Sequence, residues 1–394
     1  MFEIIDKEDA ISDFETVIKV IGVGGGGGNA VDHMIREGVK GVEFIVANTD
    51  AQALKRSIAQ RKLRLGKTGL GAGAKPEVGR DAAIGEREQI TEALRGAHMV
   101  FITAGMGGGT GTGAAPVVAE IAREMGVLTV AVVTKPFTFE GGKRAKIADA
   151  GIAELQKHVD SQIVVLNEKL MDVLGDDVSV DDAFKAANNV LRNAVGGIAE
   201  IINLPGLVNV DFEDVRTVMG EMGVAMMGSA SASGVDRARL AAEQAVASPL
   251  LEGVNLSGAK GVLVNITASP SCNMKLKEVN EVMNTVRAFA ADDAHIIFGA
   301  VYDESMQEEL RVTVIATGLG QPSQAKRQPF EVINTPVVQG TGTDGGFAAG
   351  ANINYRDLDV PAVVRKGRNA TVEALANSGV DRYDIPAFLR KQAD

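Results

Sequence analysis

Apolar residues near the start of the chain form short β-branched runs that alternate with longer segments of helical spacing. Residues 17–21, 42–47 and 99–103 are runs typical of buried parallel strands. Residues 30–35 and 114–122 carry apolar side chains at helical spacing, and each segment follows a strand. This alternation predicts an α/β fold built on a Rossmann-like parallel sheet.

The longest helical periodicity predicts one helix from Ser179 to about Ile202. Ser179 and Asp182 are spaced as a capping pair at its start. We interpret this segment as a central helix that joins two domains. Most of it is expected to lie in a core, because its apolar positions repeat at helical spacing: Ala183, Phe184, Ala187, Val190, Leu191, Ala194, Ile198 and Ile201.

Apolar periodicity beyond residue 228 predicts a second, smaller α+β domain. Strands are expected at 261–267, 295–301 and 310–316, and a helix is expected at 276–290. This part of the sequence contains no recognisable set of catalytic side chains. We therefore expect it to present an assembly surface.

Apolar periodicity ends after residue 317. Residues 318–380 have too little apolar periodicity to build a core, which predicts a disordered linker, and residues 1–12 are predicted to be flexible. Residues 381–394 add apolar anchors to a polar tail. This terminal peptide is expected to bind a partner through Asp384, Ile385, Pro386, Phe388 and Leu389.

Composition limits the classes of function. The chain has 394 residues, 45% of them hydrophobic, which suffices for two domains. Acidic residues outnumber basic residues by 51 to 40, which argues against a nucleic-acid-binding surface. The single cysteine, Cys272, excludes an intramolecular disulfide, and the four histidines lack metal-binding spacing. Because we recognise no signal peptide and no membrane span, we expect a cytoplasmic protein whose link to a membrane is indirect.

Two glycine-rich segments, residues 20–29 and 104–113, each follow a predicted strand and open a predicted helix. Glycine lets the backbone approach an anion and turn its N–H groups toward it, while the helix N-terminus adds positive potential. Asp50 follows the second strand, at the carboxyl end where α/β sheets bind ligands. Pro116 is expected near the first turn of the second helix, where proline is tolerated. Two such segments in one domain predict a nucleotide held from both sides.

The first glycine-rich segment alone would also suit a dinucleotide-binding oxidoreductase. Gly22, Gly24 and Gly27 satisfy the G-x-G-x-x-G pattern, and Glu43 or Asp50 stands about 20 residues further on. The second segment disfavours this class, because a dinucleotide site needs only one such fingerprint.

A Walker loop does not fit either segment. Neither ends in Gly-Lys-Ser/Thr, and the Gly-Lys-Thr at residues 66–68 has Arg61 where the leading glycine belongs. Without a lysine in either loop, backbone amides and Mg²⁺ must balance the phosphate charge.

The run Gly-Gly-Gly-Thr-Gly-Thr-Gly at 107–113 resembles the signature of the tubulin/FtsZ family. Supporting segments lie at 48–54, 136–144 and 209–214, and the resemblance covers residues 17–317 together with the terminal peptide. It implies a tubulin-like, self-assembling cytoskeletal GTPase that binds GTP or GDP with Mg²⁺ and forms the bacterial division ring at mid-cell. The implied domains are a GTP-binding domain at 13–178, the central helix at 179–202, and an acidic loop with the second domain at 203–317.

The resemblance also implies the residues of the GTP site. The phosphate loops would contact the phosphates, with Thr110 nearest the terminal one; Glu140 would bind the ribose, and Arg144 would approach the phosphates. Glu140 has a second interpretation, as a solvated acid at a helix start. The base would rest on Asn167, Phe184 and Asn188, with Phe184 stacked on it. The full predicted set is Gly24, Gly25, Gly26, Gly27, Gly28, Asn29, Asp50, Gly107, Gly108, Gly109, Thr110, Gly111, Thr112, Glu140, Arg144, Asn167, Phe184 and Asn188.

Asn188 departs from the pattern of many family members, which carry Asp at this position. An Asp accepts from two guanine donors, whereas an Asn amide offers only one acceptor. The preference for guanine over adenine is therefore left open by the sequence.

The acidic segment around Asp211 and Asp214 has two interpretations. It is either an acidic loop that precedes an ordinary helix, whose N-terminus favours carboxylates, or part of an active site. The resemblance favours the second: Asn209, Asp211 and Asp214 would act on the GTP of a neighbouring subunit. Such a head-to-tail contact does not close on itself and therefore propagates as a filament.

Three classes of function remain open at this point: an assembling GTPase, a dinucleotide oxidoreductase, and a nucleotide-binding scaffold that does not hydrolyse. The resemblance favours the first. It implies that the partners are further copies of the chain, assembly inhibitors, and membrane-tethering division proteins such as FtsA and ZipA on the terminal peptide.

Overall fold

A computed structural model describes residues 16–175, 177–204, 206–221, 223–251, 259–272, 274–291 and 294–319. The predicted flexible N-terminus at 1–12 and the terminal peptide at 381–394 lie outside the described residues. The predicted linker also lies outside them, except for residues 318 and 319. These two residues belong to a strand that runs further than the sequence indicated, to Leu319.

Strands and helices alternate through the first half of the chain. Their order is β1 (Ile18–Val23), α1 (Gly24–Arg36), β2 (Glu43–Asn48), α2 (Ala51–Arg56), β3 (Arg61–Arg64), α3 (Pro76–Gly85), α4 (Arg87–Leu94), β4 (Met99–Gly105), α5 (Thr110–Glu124), β5 (Leu128–Lys135), α6 (Gly142–Leu155), β6 (Ser161–Leu166) and α7 (Asn167–Leu174).

The second half begins with the central helix and continues with a mixture of strands and helices. The order is α8 (Val180–Asn203), β7 (Gly206–Val208), α9 (Phe212–Met219), β8 (Gly223–Ala232), α10 (Arg237–Val246), β9 (Gly261–Ala268), α11 (Leu276–Phe289), β10 (His295–Tyr302) and β11 (Leu310–Leu319). None of the helices in the described residues is long and apolar enough to cross a membrane.

The strands form one sheet in the order β3-β2-β1-β4-β5-β6-β8-β11-β9-β10-β7. The six strands from β3 to β6 are parallel, and their order is that of the doubly wound nucleotide-binding fold. In this fold the direction of winding reverses between β1 and β4, and ligands bind at the carboxyl ends of the strands there. The two glycine-rich segments follow these two strands, which places both at the point of reversal.

Alternate residues of the parallel strands face two separate cores. Val20 and Phe101 pack with α1 and α8 on one face of the sheet. Ile21 and Ile102 pack with α4, α5 and α6 on the other face. Because both faces are covered, the parallel strands read as continuous apolar runs, as expected for a doubly wound sheet.

Helix α8 begins as the sequence indicated. The Ser179 hydroxyl accepts a hydrogen bond from the Asp182 N–H at 3.1 Å and donates to the Asp182 carboxylate at 2.7 Å. The hydrogen bond from Ser179 is the main cause that holds the pKa of Asp182 below its ordinary value. The helix has 24 residues, so it is about 36 Å long.

Both glycine-rich segments are more helical than the sequence indicated. Helix α1 begins at Gly24 and α5 at Thr110, so the prediction that Pro116 lies near a first turn is wrong. Pro116 lies inside the helix, where proline cannot donate a backbone hydrogen bond and its ring crowds the preceding turn. The glycines stay helical because they allow close packing: a β-carbon on Gly113 would lie 1.9 Å from the Pro76 carbonyl oxygen.

Candidate functional site

The two glycine-rich segments touch each other through their backbones. A β-carbon on Gly24 would lie 2.7 Å from the Gly111 nitrogen, and one on Gly26 would lie 3.0 Å from the Gly105 α-carbon. Gly24 also has a φ of +74°, a conformation that favours glycine. The segments therefore form one continuous surface above β1 and β4.

A cavity of about 640 Å³ opens above this surface, within the size range of small-molecule sites. Its walls come from the carboxyl ends of β1, β2, β4, β5 and β6 and from the first half of α8. The predicted site residues on its wall are Gly25, Gly26, Asn29, Asp50, Gly108, Gly109, Thr110, Gly111, Glu140, Arg144, Asn167, Phe184 and Asn188.

The other predicted GTP-site residues lie beside this cavity rather than on its wall. Gly27 packs against the sheet, since a β-carbon there would lie 2.2 Å from the Thr103 carbonyl oxygen. The Thr112 hydroxyl is buried and accepts a hydrogen bond from the Gly107 N–H at 2.8 Å, so both residues shape the second loop. Gly24 and Gly28 line an adjoining cavity of about 360 Å³.

The phosphate-facing part of the cavity has the features that an anion requires. Helices α1 and α5 point their N-termini toward it, and neither carries an acidic residue in its first turn. A β-carbon on Gly25 or Gly108 would meet no atom within 4 Å, so the space above these two residues is open. Backbone N–H groups at two helix starts can therefore approach a polyphosphate directly, and the residues present fit GTP or GDP.

Glu140 and Arg144 bind each other on the cavity wall. Arg144 donates to the Glu140 carboxylate, which also accepts from the Phe137 N–H at 3.0 Å. The Glu140 side chain is only 14% exposed, so it is not the solvated acid of the second interpretation. A ribose contact by Glu140 and a phosphate contact by Arg144 would replace part of this ion pair.

The opposite end of the cavity suits a purine base. Phe184 is 41% exposed, and its ring packs at 88° to the rings of Phe137 at 5.3 Å and Phe139 at 6.5 Å, so the exposed part of the ring can contact a base. Asn167 is 3% exposed, and its side-chain oxygen Oδ1 has no hydrogen-bond partner among the described residues. A buried amide oxygen without a partner is costly, so this atom is suited to accept from a donor on a ligand.

Sequence reasoning missed several residues on the cavity wall. Arg56 is the clearest case: it follows Asp50 and Ala53 at helical spacing, and all three line the cavity from α2. Gly71 and Gly73 also line it, from a loop whose run of Gly and Ala at residues 71–74 was the available signal.

The acidic loop lies away from this cavity. Asn209, Asp211 and Asp214 are exposed, and none of them lines the cavity of their own chain. The Asn209 side chain accepts from the Gly206 N–H, and Asp211 caps α9 by accepting from the Asp214 N–H, both at 2.8 Å. The loop follows the carboxyl end of α8, whereas the cavity contacts the amino-terminal half of that helix.

Comparisons with known proteins identify the chain's relatives. Residues 17–175 match the model of the tubulin/FtsZ family GTPase domain, and residues 223–320 match the FtsZ family C-terminal domain. A curated protein from Pseudomonas aeruginosa, named cell division protein FtsZ, is 55% identical over the full length of both chains.

The chain belongs to the FtsZ family.

Solved structures agree with this assignment. An empty FtsZ dimer from M. jannaschii has a TM-score of 0.75 and 41% identity, and the match covers 80% of this chain and 93% of that chain. CetZ2 from Haloferax volcanii, in a GTPγS-bound protofilament, has a TM-score of 0.65 at 21% identity and covers 79% of this chain and 96% of that chain. The second likeness shows the fold alone.

Membership of the FtsZ family decides between the classes of function left open by the sequence. The chain carries a GTPase domain of the tubulin/FtsZ family, and the dinucleotide oxidoreductase is no longer favoured.

Proposed function

We propose that this chain is a self-assembling cell-division GTPase whose active site is completed by a second copy of the chain. GTP binds in the cavity above β1 and β4 of one subunit. The acidic loop of the next subunit supplies Asn209, Asp211 and Asp214. The name shared by the full-length relatives, cell division protein, supports the cellular role.

The observation that carries this proposal is the separation of the cavity from the acidic loop. Asn188 on the cavity wall and Asn203 at the end of α8 are 15 residues apart on one straight element, which corresponds to about 22 Å. Carboxylates beyond Asn203 cannot reach a phosphate in their own chain's cavity, but they are exposed and can reach that of a neighbour.

The residues of the cavity have distinct tasks in this proposal. Backbone N–H groups at the starts of α1 and α5 hold the phosphates, and Thr110 contacts the terminal one. Phe184 stacks on the base while Asn167 and Asn188 bond its edge. The neighbour's Asp211 and Asp214 orient a water molecule for in-line attack on the terminal phosphate.

Mg²⁺ would neutralise charge on the phosphates. The described residues contain no group of three or more His, Cys, Asp or Glu that could hold a metal ion. Mg²⁺ commonly binds phosphate oxygens and water with only one or two carboxylates, so the phosphates of the nucleotide would supply most of its ligands.

Assembly follows from the geometry of the shared site. Contact between one end of a subunit and the opposite end of the next is heterologous and open, so it generates a filament rather than a closed dimer. At the division ring, such filaments would be tethered to the membrane through the terminal peptide, by proteins of the FtsA and ZipA kind.

Phosphate release measured against protein concentration, with light scattering recorded in Mg²⁺ buffer, tests the proposal. We expect turnover per molecule to rise above a threshold concentration with GTP and not with ATP, together with scattering. Turnover that is independent of concentration would place the chemistry within one chain. Nucleotide binding without turnover would indicate a scaffold.

A further inference from the structure

The side-chain hydroxyl groups of Thr49 and Thr110 lie 2.6 Å apart, close enough for a strong O–H···O hydrogen bond. Thr110 is the first residue of α5 and lines the cavity. Thr49 follows β2, is 4% exposed, and does not line the cavity. We infer that Thr49 is a positioning residue that aims the Thr110 hydroxyl at the terminal phosphate of the bound nucleotide. This inference rests on the proposed function.

The neighbours of Thr49 use their side chains locally. Asn48 accepts a hydrogen bond from the Asp50 N–H at 3.1 Å, and Asp50 accepts from the Gln52 and Ala53 N–H groups to cap α2. The Thr49 side chain instead reaches across to α5, 61 residues away in sequence. Its hydroxyl therefore links two elements that the sheet order brings together.

The direction of the hydrogen bond follows from the ligand. A threonine hydroxyl carries one hydrogen and can also accept, whereas phosphate oxygens at neutral pH mainly accept. Thr110 can bond a phosphate oxygen only by donating its hydrogen, so its oxygen is then available to accept from Thr49. The resulting order is Thr49 to Thr110 to phosphate, in which each bond polarises the next.

Packing limits the positions that the Thr110 side chain can adopt. A β-carbon on Gly24 would lie 3.3 Å from the Thr110 β-carbon, so the two phosphate loops confine this side chain. In the absence of the Thr49 hydroxyl, the Thr110 hydroxyl keeps its position but loses the partner that orients its hydrogen.

Thr49 also contacts a loop on the cavity wall through its backbone. Its backbone carbonyl accepts from the Gly71 N–H at 3.1 Å, and Gly71 lines the cavity. The same residue thus connects the hydroxyl next to the terminal phosphate with the loop beside it. Loss of the Thr49 hydroxyl leaves this backbone contact in place and removes only the contact to Thr110, so it should affect recognition of the terminal phosphate more than recognition of the diphosphate.

The test compares Thr49→Val, which removes the hydroxyl and keeps the shape, with Thr49→Ser, which keeps the hydroxyl. Affinities for GDP and for a non-hydrolysable GTP analogue are measured on full-length protein at concentrations below assembly, and turnover is measured above it. We expect Thr49→Val to weaken binding of the analogue relative to GDP, and to lower kcat, by about tenfold each. Thr49→Ser should restore both.

A double-mutant cycle with Thr110→Val tests whether Thr49 acts through the Thr110 hydroxyl. We expect Thr49→Val to cost nothing further in a Thr110→Val background, because the hydroxyl it orients is absent. Equal loss of GDP and analogue binding, or the same cost in both backgrounds, would mean that Thr49 has only a structural role. Unchanged values in Thr49→Val with an active wild type would also overturn the inference. A wild type that binds but does not hydrolyse GTP would instead contradict the proposed function, and the ratio of affinities would still test Thr49.

Discussion

The ring of Phe212 packs edge-on against the ring of His98, with centroids 6.2 Å apart and an interplanar angle of 66°. His98 directly precedes β4, and its Nδ1 accepts from the Val17 N–H at 3.0 Å beside the start of β1. Phe212 directly follows Asp211. The contact therefore fixes the acidic loop at the amino-terminal edge of the parallel sheet.

The cavity lies at the other edge of the same strands. Strand β4 runs seven residues from Met99 to Gly105, which lines the cavity, and this corresponds to about 23 Å. Two ends of one subunit thus carry complementary parts of the proposed active site. This arrangement explains why hydrolysis would require assembly.

Replacing the proposed catalytic carboxylate should separate binding from hydrolysis. We expect Asp214→Ala to bind GTP normally and to hydrolyse it on the order of 100-fold more slowly, because only one of the two carboxylates that orient the attacking water remains. The backbone N–H that Asp211 caps is retained in this variant. Single-turnover hydrolysis and nucleotide titration measure the two effects.

Glu213→Ala is the matched control for this variant. Glu213 lies in the same loop and forms an exposed ion pair with Arg216 at 3.1 Å, which contributes little to stability. Glu213→Ala should therefore leave GTP turnover nearly unchanged. Equal slowing in both variants would indicate a general effect of loop charge rather than a specific role for Asp214.

Glycines of the first and second loops should respond differently to substitution. Gly108→Leu places a side chain in open cavity space and should lower nucleotide affinity by more than about tenfold at unchanged thermal stability. Gly27→Ala brings a β-carbon within 2.2 Å of the Thr103 carbonyl oxygen and should destabilise the fold by about 1–3 kcal/mol. Thermal unfolding without nucleotide and titration with a fluorescent GDP distinguish them. Loss of stability in Gly108→Leu would contradict the assignment of this space to the ligand.

We expect Asn188→Asp to raise the preference of the site for guanine over adenine. A carboxylate can accept from both guanine donors, N1–H and the exocyclic amine, so the preference for GTP over ATP should rise by about tenfold. Competition of GTP and of ATP against labelled GDP measures this preference. Asn189→Asp adds the same charge one residue further on, where the side chain contacts His33 at 2.6 Å, and should leave the preference unchanged. An equal gain in both variants would mean that charge alone is responsible.

Acid should lower the stability of the second half of the chain, because Glu278 becomes protonated. Burial raises the pKa of Glu278, but hydrogen bonds from Arg237 and the Lys275 N–H outweigh it, so the pKa lies below its ordinary value of 4.5. A lowered folded-state pKa contributes stability that is complete above about pH 4.5 and is lost as the pH falls through the folded value. Glu278→Gln should therefore be less stable than wild type by about 3 kcal/mol at pH 7, and this difference should shrink in acid. Urea unfolding of both proteins at several pH values measures this difference. A difference in unfolding free energy that is constant with pH would contradict the prediction.

Local sequence signals were sufficient for the strands and helices that carry the phosphate loops. The apolar run at 99–103 correctly predicted β4, and the capping pair at Ser179 correctly predicted the start of α8. The starts of α1 and α5 were less predictable, because they lie where two segments far apart in sequence pack backbone against backbone, as at Gly24 and Gly111.

Residues whose position depends on the sheet order carry no local signal. Arg56 reaches the cavity because β2 lies beside β1, and His98 meets Phe212 because α9 returns to the start of β4. The hydroxyl contact between Thr49 and Thr110 likewise appears only when β2 and α5 are brought together. Such contacts join residues far apart in sequence and cannot be inferred from spacing.

Mixing two impaired variants, at a GTP concentration that leaves Gly108→Leu largely empty, tests the shared active site most directly. Asp214→Ala retains the nucleotide site and lacks one of the two catalytic carboxylates, whereas Gly108→Leu binds nucleotide weakly and retains the acidic loop. If the site is shared, GTP in an Asp214→Ala subunit meets the intact loop of a Gly108→Leu subunit, and the mixture should hydrolyse GTP far faster than either variant alone. Turnover equal to the sum of the two separate variants, under conditions where wild type is active, would contradict a site built from two subunits.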